Sequence, residues 1–186
     1  MCHILAEIKI TPSGALLNGQ PVGTGSAGAD LLHDLYRRYV NDYPKFFKMD
    51  GLCKLGFIAS ELLLQSVDEE RFTDRDDRAV VLCNRSGSIE ADHRYQATIA
   101  DEANFFPSPA LFVYTLPNIV TGEIAIRNKY HGETSFFVAG PGSPYGLKEM
   151  AAAAFADQGT SSILIGWVDF YDTQHFEADM KLIIKK

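Results

Sequence analysis

The sequence predicts an α/β fold with a mixed, mostly parallel five-stranded sheet that is covered by helices on both faces. Short apolar runs alternate with longer helical patterns along the chain, which is the order typical of βαβ units. Residues 79–83 are apolar throughout, as expected of a central strand that is buried on both faces. With 186 residues, 46% of them hydrophobic, the chain can bury a sizeable core, so we expect a single domain over residues 1–186.

The first half of the chain opens with an apolar run at residues 3–10, which ends at the turn Thr-Pro-Ser-Gly. A glycine-rich loop over residues 18–28 precedes a helix that Asp30 can cap. Residues 49–65 have one narrow polar stripe and are otherwise apolar, which predicts a helix buried on most of its circumference. A charged link over residues 68–78 leads into the apolar strand described above.

The second half continues the alternation of strands and helices. Gly87 and Ser88 start a helix near residue 89, and an alanine-rich helix is closed by Gly159. The predicted strands are 3–10, 79–83, 134–139, 162–168 and 180–184, and the predicted longer helices are 30–41, 49–65 and 144–156. We expect these positions in the core: Leu55, Leu62, Val81, Val138 and Ile165.

Composition excludes several classes of protein. The formal net charge of −7 argues against a nucleic-acid partner, because phosphate binding depends on a footprint of lysine and arginine. No run approaches the roughly 20 apolar residues that a membrane span requires. The first residues lack the basic segment and long apolar core of a signal peptide, and three scattered cysteines suit a reducing compartment, so we expect the protein in the cytoplasm.

Four stretches of the sequence follow one another in the order of one enzyme family. Lys48-Met49-Asp50 stands before the apolar helix, and residues 79–90 form a strand and a glycine turn. Residues 108–126 hold two prolines and an Asn-x-x-x-Gly element, and residues 163–169 end in Gly-Trp-Val-Asp. Together they resemble β-ketoacyl synthases, the condensing enzymes of fatty-acid and polyketide assembly. The resemblance implies the N-terminal half of the thiolase-like fold, with residues 1–44 as an atypical start.

The resemblance also implies a nucleophilic cysteine at a strand-to-helix turn, and this chain departs from it. Counted from Gly132, the cysteine position falls on Pro141; counted back from Gly159, it falls on Gly142. Neither residue can attack an acyl thioester. Ser143 is the one alternative nucleophile there, but the proline after it favours a helix-capping role. The family's paired histidines belong to a C-terminal half that has no counterpart here, so we expect no condensation by this chain alone.

The resemblance further implies where partners bind. The family's segment at 105–127 and the strand at 134–139 lie at a two-fold interface, so we expect a homodimer or a heterodimer with a catalytic ketosynthase. The predicted interface residues are Phe112, Tyr114, Leu116, Asn118, Phe136, Phe137 and Val138. Because acyl carrier proteins are acidic, a local basic patch is a candidate docking site for one: Arg37, Arg38, Lys45 and Lys48. A lone half of the fold leaves central helices uncovered, and the candidates are the helix 49–65 and the alanine helix.

The remaining chemical motifs give weaker indications of function. Cys53 and Cys83 are typical of buried structural thiols, and Cys2-His3 lacks a second ligand pair at zinc-like spacing. The pattern G-x-G-x-x-G at 23–28 does not follow directly on a strand, so it indicates a surface loop rather than a dinucleotide site. Four residues could gather around a cation but are better explained as a solvated loop: Asp169, Asp172, His175 and Glu177. We therefore expect no metal and no cofactor.

The sequence favours a ketosynthase-like, non-condensing subunit or accessory protein of acyl-chain biosynthesis, of the fatty-acid or polyketide type. Two alternatives stay open. The chain is an acyltransferase of the 3-oxoacyl synthase type that a partner subunit completes, or it is a small-molecule-binding protein that uses the same fold.

Overall fold

A computed structural model describes residues 2–23, 25–67, 71–139 and 146–185. In these ranges the strands form one sheet, in the spatial order β3-β2-β1-β7-β6-β4-β5. Parallel pairing joins β4 to β5 and to β6, and the other four pairings are antiparallel. The strands are β1 (Cys2–Thr11), β2 (Gly14–Leu17), β3 (Gln20–Val22), β4 (Arg78–Asn84), β5 (Thr134–Val138), β6 (Ser162–Asp172) and β7 (His175–Lys185).

The α/β class is confirmed, but the prediction of five mostly parallel strands is wrong in detail. The sheet has seven strands and is mostly antiparallel, because the sequence analysis missed two hairpins, β2–β3 and β6–β7, and the pairing of β1 with both β2 and β7. The first turns at Asn18-Gly19, where both residues have positive φ, 50° and 77°, as a tight two-residue hairpin requires. The second joins β6 and β7 through Thr173 and Gln174. The strands of each hairpin pair with one another in register, so both hairpins are part of the sheet rather than of a loop.

The helices are α1 (Leu31–Tyr39), α2 (Gly51–Gln65), α3 (Ile89–Ala97), α4 (Pro109–Val113), α5 (Ile119–Asn128) and α6 (Leu147–Ala154). Short 3-10 turns lie at Gly28–Asp30, Pro44–Lys48 and Glu102–Asn104. The sequence reading assigned no helix to α4 and α5, since β-branched residues and a glycine give the α5 segment a weak helical pattern. In the described parts of the chain, no helix is long and apolar enough to cross a membrane.

Helix α2 is the centre of the fold. The Asp50 carboxylate accepts a hydrogen bond from the backbone N–H of Cys53 at 2.9 Å and so caps the helix, whereas Asp30 makes no such bond to α1. Nearly every residue of α2 is buried, including the carboxylate of Glu61, which is ion-paired with Arg71 and Arg127. The expectation of an uncovered helix at 49–65 is therefore wrong, because α1, α5 and the sheet enclose it.

Alternation along the strands gives the sheet two faces, which we name by what covers them. The helical face carries Val80, Leu82 and Leu164 and packs under α1, α2 and α5. The α6 face carries Val81 and Ile165 and packs under α6. Buried positions on both faces confirm the predicted core at Leu55, Leu62, Val81 and Ile165, but Val138 is 58% exposed and that prediction is wrong. Val138 ends β5, which lies at the edge of the sheet.

The middle of the β1–β7 pairing is polar on the α6 face. Ile165 pairs in register with Lys181, which in turn pairs with Glu7, so these side chains lie on the same face. Lys181 Nζ lies 3.7 Å from the Glu7 carboxylate, and Lys9 Nζ lies 3.1 Å from that of Asp179. The α6 face is thus apolar under α6 and ionic beside it.

Candidate functional site

In the sequence, the predicted nucleophile turn falls between β5 and α6, after the carboxyl end of a parallel strand. Pro141, Gly142 and Ser143 lie outside the residues that the structure describes. The described flanks agree with a strand-to-helix connection, since β5 ends at Val138 and α6 begins at Leu147. In parallel α/β sheets, this end of the strands is where ligands usually bind.

The two buried thiols near this end of the sheet are poor nucleophiles. Cys83 lies on β4 with its Sγ 3.6 Å from the carbonyl oxygen of Gly166, and burial raises the pKa of its thiol to about 11. Burial, with the neighbouring Asp50 carboxylate, raises the pKa of Cys53 well above its ordinary value. Both thiols are therefore protonated at neutral pH, when only a thiolate would attack. Cys2 is exposed on β1.

The turn after β4 is held by its own side chains. Asn84 is fully buried, and its amide both donates to the Gly87 carbonyl at 2.8 Å and accepts from the Gly87 N–H at 3.0 Å. Ser88 donates to the carbonyl of Thr115 at 2.6 Å, which ties the start of α3 to the end of α4. The Ser86 hydroxyl and N–H both donate to Asp169 Oδ1, at 2.6 and 3.1 Å. These polar groups are occupied by structural bonds.

A cleft of about 460 Å³ opens beside this turn, and the four residues considered as cation ligands all line it. Asp169 is bound to Ser86, and Asp172 accepts hydrogen bonds from the backbone N–H of Gln174 and of His175 within its own hairpin. Those hydrogen bonds hold the pKa of Asp172 below its ordinary value. Among the described residues, no group of three or more His, Cys, Asp and Glu side chains is placed to hold a metal ion.

The predicted interface residues fall into two groups. Phe112, Leu116, Phe137 and Val138 are about half exposed, between 44% and 58%. Tyr114 and Phe136 instead pack against the core under the helical face. Burial, with the Glu123 carboxylate nearby, raises the pKa of Tyr114 to about 12. Asn118 is exposed just before α5.

The predicted interface segment 105–127 holds further exposed apolar side chains that the sequence analysis did not single out. Phe105 and Phe106 are 58% and 74% exposed, and Val113 and Ile126 are 45% and 67% exposed. The signal was present in the Phe-Phe-Pro run just before the segment 108–126, which is too short and irregular to form a buried element. Exposed aromatic side chains at this density mark an interaction surface.

The four basic residues proposed for docking are placed on the last turn of α1 and on the 3-10 turn at Pro44–Lys48. Lys45 is not free, because its Nζ lies 2.7 Å from the buried Glu123 carboxylate, and that hydrogen bond raises the pKa of Lys45. Arg38 donates to the Gly23 carbonyl at 2.6 Å. Arg37 and Lys48 are exposed, with Arg37 only 3.8 Å from Asp34. Arg37 is thus shared with an acidic neighbour, and Lys48 is the one of the four for which the described residues show no hydrogen bond or ion pair.

Comparison with known proteins identifies the fold. No protein-family profile matches the sequence, and no curated protein does either. Solved structures do match over the whole chain. The ishigamide ketosynthase/chain length factor matches with a TM-score of 0.70 at 17% sequence identity over 99% of this chain. A β-ketoacyl synthase from Burkholderia phymatum STM815 matches with a TM-score of 0.69 at 13% sequence identity over 100% of this chain. A ketosynthase in complex with its chain length factor from Xenorhabdus doucetiae matches with a TM-score of 0.64 at 15% sequence identity over 100% of this chain.

This chain spans 62%, 59% and 79% of those three solved chains, respectively. Likeness at such low sequence identity concerns the backbone, because a fold is shared by proteins of different activity. The chain thus has the thiolase-like fold of the ketosynthases.

Proposed function

We propose that this protein is a non-condensing, ketosynthase-like subunit that acts by pairing with a second subunit of the same fold in acyl-chain or polyketide-type biosynthesis. The observation that carries the proposal is the exposed edge of β5, together with exposed apolar side chains on β5 and in segment 105–127. Two of the similar solved structures are described as ketosynthases with chain length factors, which makes a non-identical partner of the same fold a natural model for this chain.

The edge of β5 supports pairing through backbone groups. Strand β5 is hydrogen-bonded to β4 on one side, and no other described strand lies on its free side. A free edge presents alternate N–H and C=O groups that another strand can pair with, so proteins usually cover such an edge. An antiparallel strand from a second subunit, related by a two-fold axis, would cover it.

Exposed apolar side chains support the same surface. Phe137 and Val138 stand on the strand itself, while Phe112 and Leu116 come from α4 and the turn that follows it. The ring of Phe112 contacts that of Tyr95 on α3 at a centroid distance of 5.4 Å, so it is held in place from one side only. Aromatic anchors of this kind carry much of the binding energy at protein interfaces.

The proposed lack of condensing activity rests on the chain's own chemistry. The turn that would bear the cysteine reads Gly-Pro-Gly-Ser, and the buried thiols of Cys53 and Cys83 are held protonated. A radiolabelled acyl thioester should therefore give no stoichiometric adduct on this protein. An acyl adduct that Ser143→Ala removes would instead establish the alternative, an acyltransferase with a serine nucleophile.

Sedimentation velocity at micromolar concentration tests the pairing, and we expect a dimer that buries more than about 1,000 Å². Val138→Lys should shift it to monomer, because a lysine would be buried against an apolar partner surface. Leu16→Lys is the matched control: Leu16 is 43% exposed near the opposite edge of the sheet and should leave the dimer intact. Phe136→Lys is a poorer test, since Phe136 packs against the core.

The following results would contradict the proposed pairing or identify the partner. If the protein sediments as a monomer, alone and when mixed with a ketosynthase from its own host, and if the amides of β5 exchange freely in both samples, the proposed pairing is wrong. Protection of β5 only in the mixture would identify the partner as the ketosynthase.

A further inference from the structure

The two edges of the sheet differ in how well they are protected from further pairing. At one edge, β3 has 3 residues and carries Pro21, which has no backbone N–H to donate. At the other edge, β5 holds neither a proline nor a charged side chain. Proteins use prolines and charges to keep an edge strand from pairing, so the edge of β5 lacks this protection and is suited to a partner strand.

The hydrogen bonds between β4 and β5 fix which backbone groups of β5 point outward. The Val80 N–H donates to the Glu133 carbonyl at 2.8 Å, and the Ala139 N–H donates to the Asn84 carbonyl at 2.7 Å. Alternate residues of a paired strand direct their backbone groups to opposite sides, so the odd-numbered residues of 133–139 face β4. The outward N–H and C=O groups are those of Thr134, Phe136 and Val138. Within the described parts of the chain, these outward groups have no hydrogen-bond partner.

A second copy of this chain, related by a two-fold axis through Phe136, would pair all of these outward groups at once. In an antiparallel pair, two residues that exchange both hydrogen bonds stand directly opposite each other. With the axis at Phe136, this residue faces its own symmetry mate, and Thr134 faces the partner's Val138. Moving the axis to Ser135 or to Phe137 leaves one outward residue opposite a position outside the strand. The axis at Phe136 is therefore the symmetric register with the most backbone hydrogen bonds.

The side chains of β5 suit the same register. Phe137 pairs with Cys83 and so lies on the α6 face, as does Ser135 two residues before it. Across the axis, the small Ser135 stands opposite the partner's Phe137, whereas an axis at Phe137 would place two large rings opposite each other. On the helical face, Thr134 and Val138 form a cross-strand pair of β-branched residues, which is favourable in sheets. Because β5 carries no charge, the axis brings no like charges together on this strand.

We propose that the second subunit is a copy of this chain, whose β5 pairs antiparallel with β5 of the first about a two-fold axis at Phe136. This inference rests on the proposed function and adds to it the identity of the partner and the register of the pairing. A non-identical partner would need an edge of its own that matches this pattern, whereas a copy matches it by symmetry. The axis is perpendicular to the sheet, so both helical faces lie on one side. Helix α5, which contacts β4 and β5, then lies near α5 of the partner.

Cysteine cross-linking of the full chain tests the partner and the register together. Thr134→Cys and Val138→Cys, both at exposed positions, are prepared as separate proteins in a Cys2→Ser background that removes the exposed thiol. The facing Cα atoms would be about 5.5 Å apart, within the range of a disulfide. Mild oxidation of an equal mixture should therefore link up to about half of the chains, the statistical share of mixed dimers.

Two controls accompany the mixture. Each variant alone should not cross-link, because identical positions lie four residues, or roughly 13 Å, apart along the paired strands. Leu16→Cys mixed with Val138→Cys should not cross-link either, since Leu16 is 43% exposed near the opposite edge of the sheet. Thr134→Cys that links to itself as readily as to Val138→Cys would overturn the proposed register.

Two further results would overturn this inference and leave the proposed pairing intact. One is a wild-type dimer that Val138→Lys dissociates but whose cysteine mixture does not cross-link, because the strands then pair in another register. The other is a wild-type monomer whose β5 amides become protected only with a ketosynthase, because the partner is then non-identical. A monomer in both samples with freely exchanging β5 amides would refute both proposals.

A measurement on the wild-type protein decides the register even if a cysteine variant folds poorly. With the axis at Phe136, Ser135 and the partner's Phe137 form a non-hydrogen-bonded pair, with Cα atoms about 4.5 Å apart. NMR of a mixture of isotope-labelled and unlabelled protein should therefore show a contact between the Cα hydrogens of these two residues. Its absence from a dimer that is paired through β5 would overturn the register.

Discussion

The two faces of the sheet are covered in different ways. On the helical face, α1, α2 and α5 form a second layer, and the side chains between the layers make up the larger hydrophobic core. On the α6 face, one short helix covers β4 and β6 with a much smaller apolar cluster. The remainder, over β1 and β7, is covered by ion pairs between neighbouring strands rather than by another layer.

The helical face mainly stabilises the fold, whereas the α6 face leaves surface that a partner could contact. A helix as apolar as α2 must be enclosed, and the chain encloses it by itself. The α6 face is suited to water over β1 and β7, where exposed ion pairs contribute little to stability but keep the surface polar. On that face, apolar character is combined with exposure on α6, at Ala152 and Ala153, and on β5, where Phe137 pairs with the α6-face residue Cys83 and is 44% exposed.

The largest expected effect is on the helical face. Leu55→Ala should lower the free energy of unfolding toward the upper end of about 2–5 kcal/mol, because Leu55 is fully buried between two rigid layers that cannot close the cavity. Ile165→Ala on the α6 face should fall toward the lower end of that range, because α6 can shift to fill the space. Urea unfolding of both variants measures the difference. Equal losses would show that α6 is as firmly held as α2.

The next effect concerns the approach of β6 to β7. A Cβ added at Gly166 would lie 2.3 Å from the carbonyl oxygen of Asp179 and 2.6 Å from the Cα of Met180, and backbone atoms cannot move aside cheaply. Gly166→Ala should therefore cost at least about 1–3 kcal/mol. Gly122→Ala is the control: no atom lies within 4 Å of its added Cβ, so alanine in helix α5 should be neutral or stabilising. Thermal unfolding of both variants measures the two changes in stability.

A smaller effect is expected at the cap of α2. Asp50→Ala removes the hydrogen bond to the Cys53 N–H and should cost about 0.5–2 kcal/mol. Burial raises the pKa of Asp50 above its ordinary value, although the bond from Cys53 opposes the shift. The folded state therefore binds the proton more tightly than the unfolded state, so this group's contribution to stability falls as pH rises from the unfolded pKa to the folded one.

Asp50→Asn separates the two roles of this side chain, because it keeps an oxygen acceptor for the Cys53 N–H and cannot ionise. The variant should retain the cap and lack the decline in stability that wild type shows as pH rises above about 4, the ordinary pKa of aspartate. Unfolding curves collected from pH 4 upward provide the measurement. If both proteins show the same pH dependence, other groups control it.

Much of the helical face could be predicted from the sequence because its signals are local. An all-apolar strand at 79–83 and a nearly all-apolar segment at 49–65 can be stable only when buried, and both are. The polar stripe of α2 was visible as well, but its roles were not. Asp50 caps the helix, Glu61 is ion-paired in the interior, and Gln65 donates to the carbonyl of Tyr39 at 3.0 Å. The partners of Glu61 and Gln65 are distant in sequence, so no local pattern could indicate them, whereas Asp50 bonds to a residue only three positions away.

The sheet order and the candidate sites depended on such distant contacts. Strand β1 pairs with β7 from the other end of the chain, a contact that no periodicity can reveal. Val138 has the side chain of a core residue but lies on an edge strand, and edge and central strands look alike in a short apolar run.

The smallest effect is expected on the exposed side of α6. Ala153→Lys adds a charged side chain at a position that faces away from the sheet, so the free energy of unfolding should change by less than about 0.5 kcal/mol. Sedimentation of the same variant sharpens the comparison between the faces. If pairing occurs through β5 alone, the variant should remain a dimer, as Leu16→Lys should. If Ala153→Lys dissociates the dimer without changing its stability to urea, then α6 rather than β5 is the surface that a partner covers.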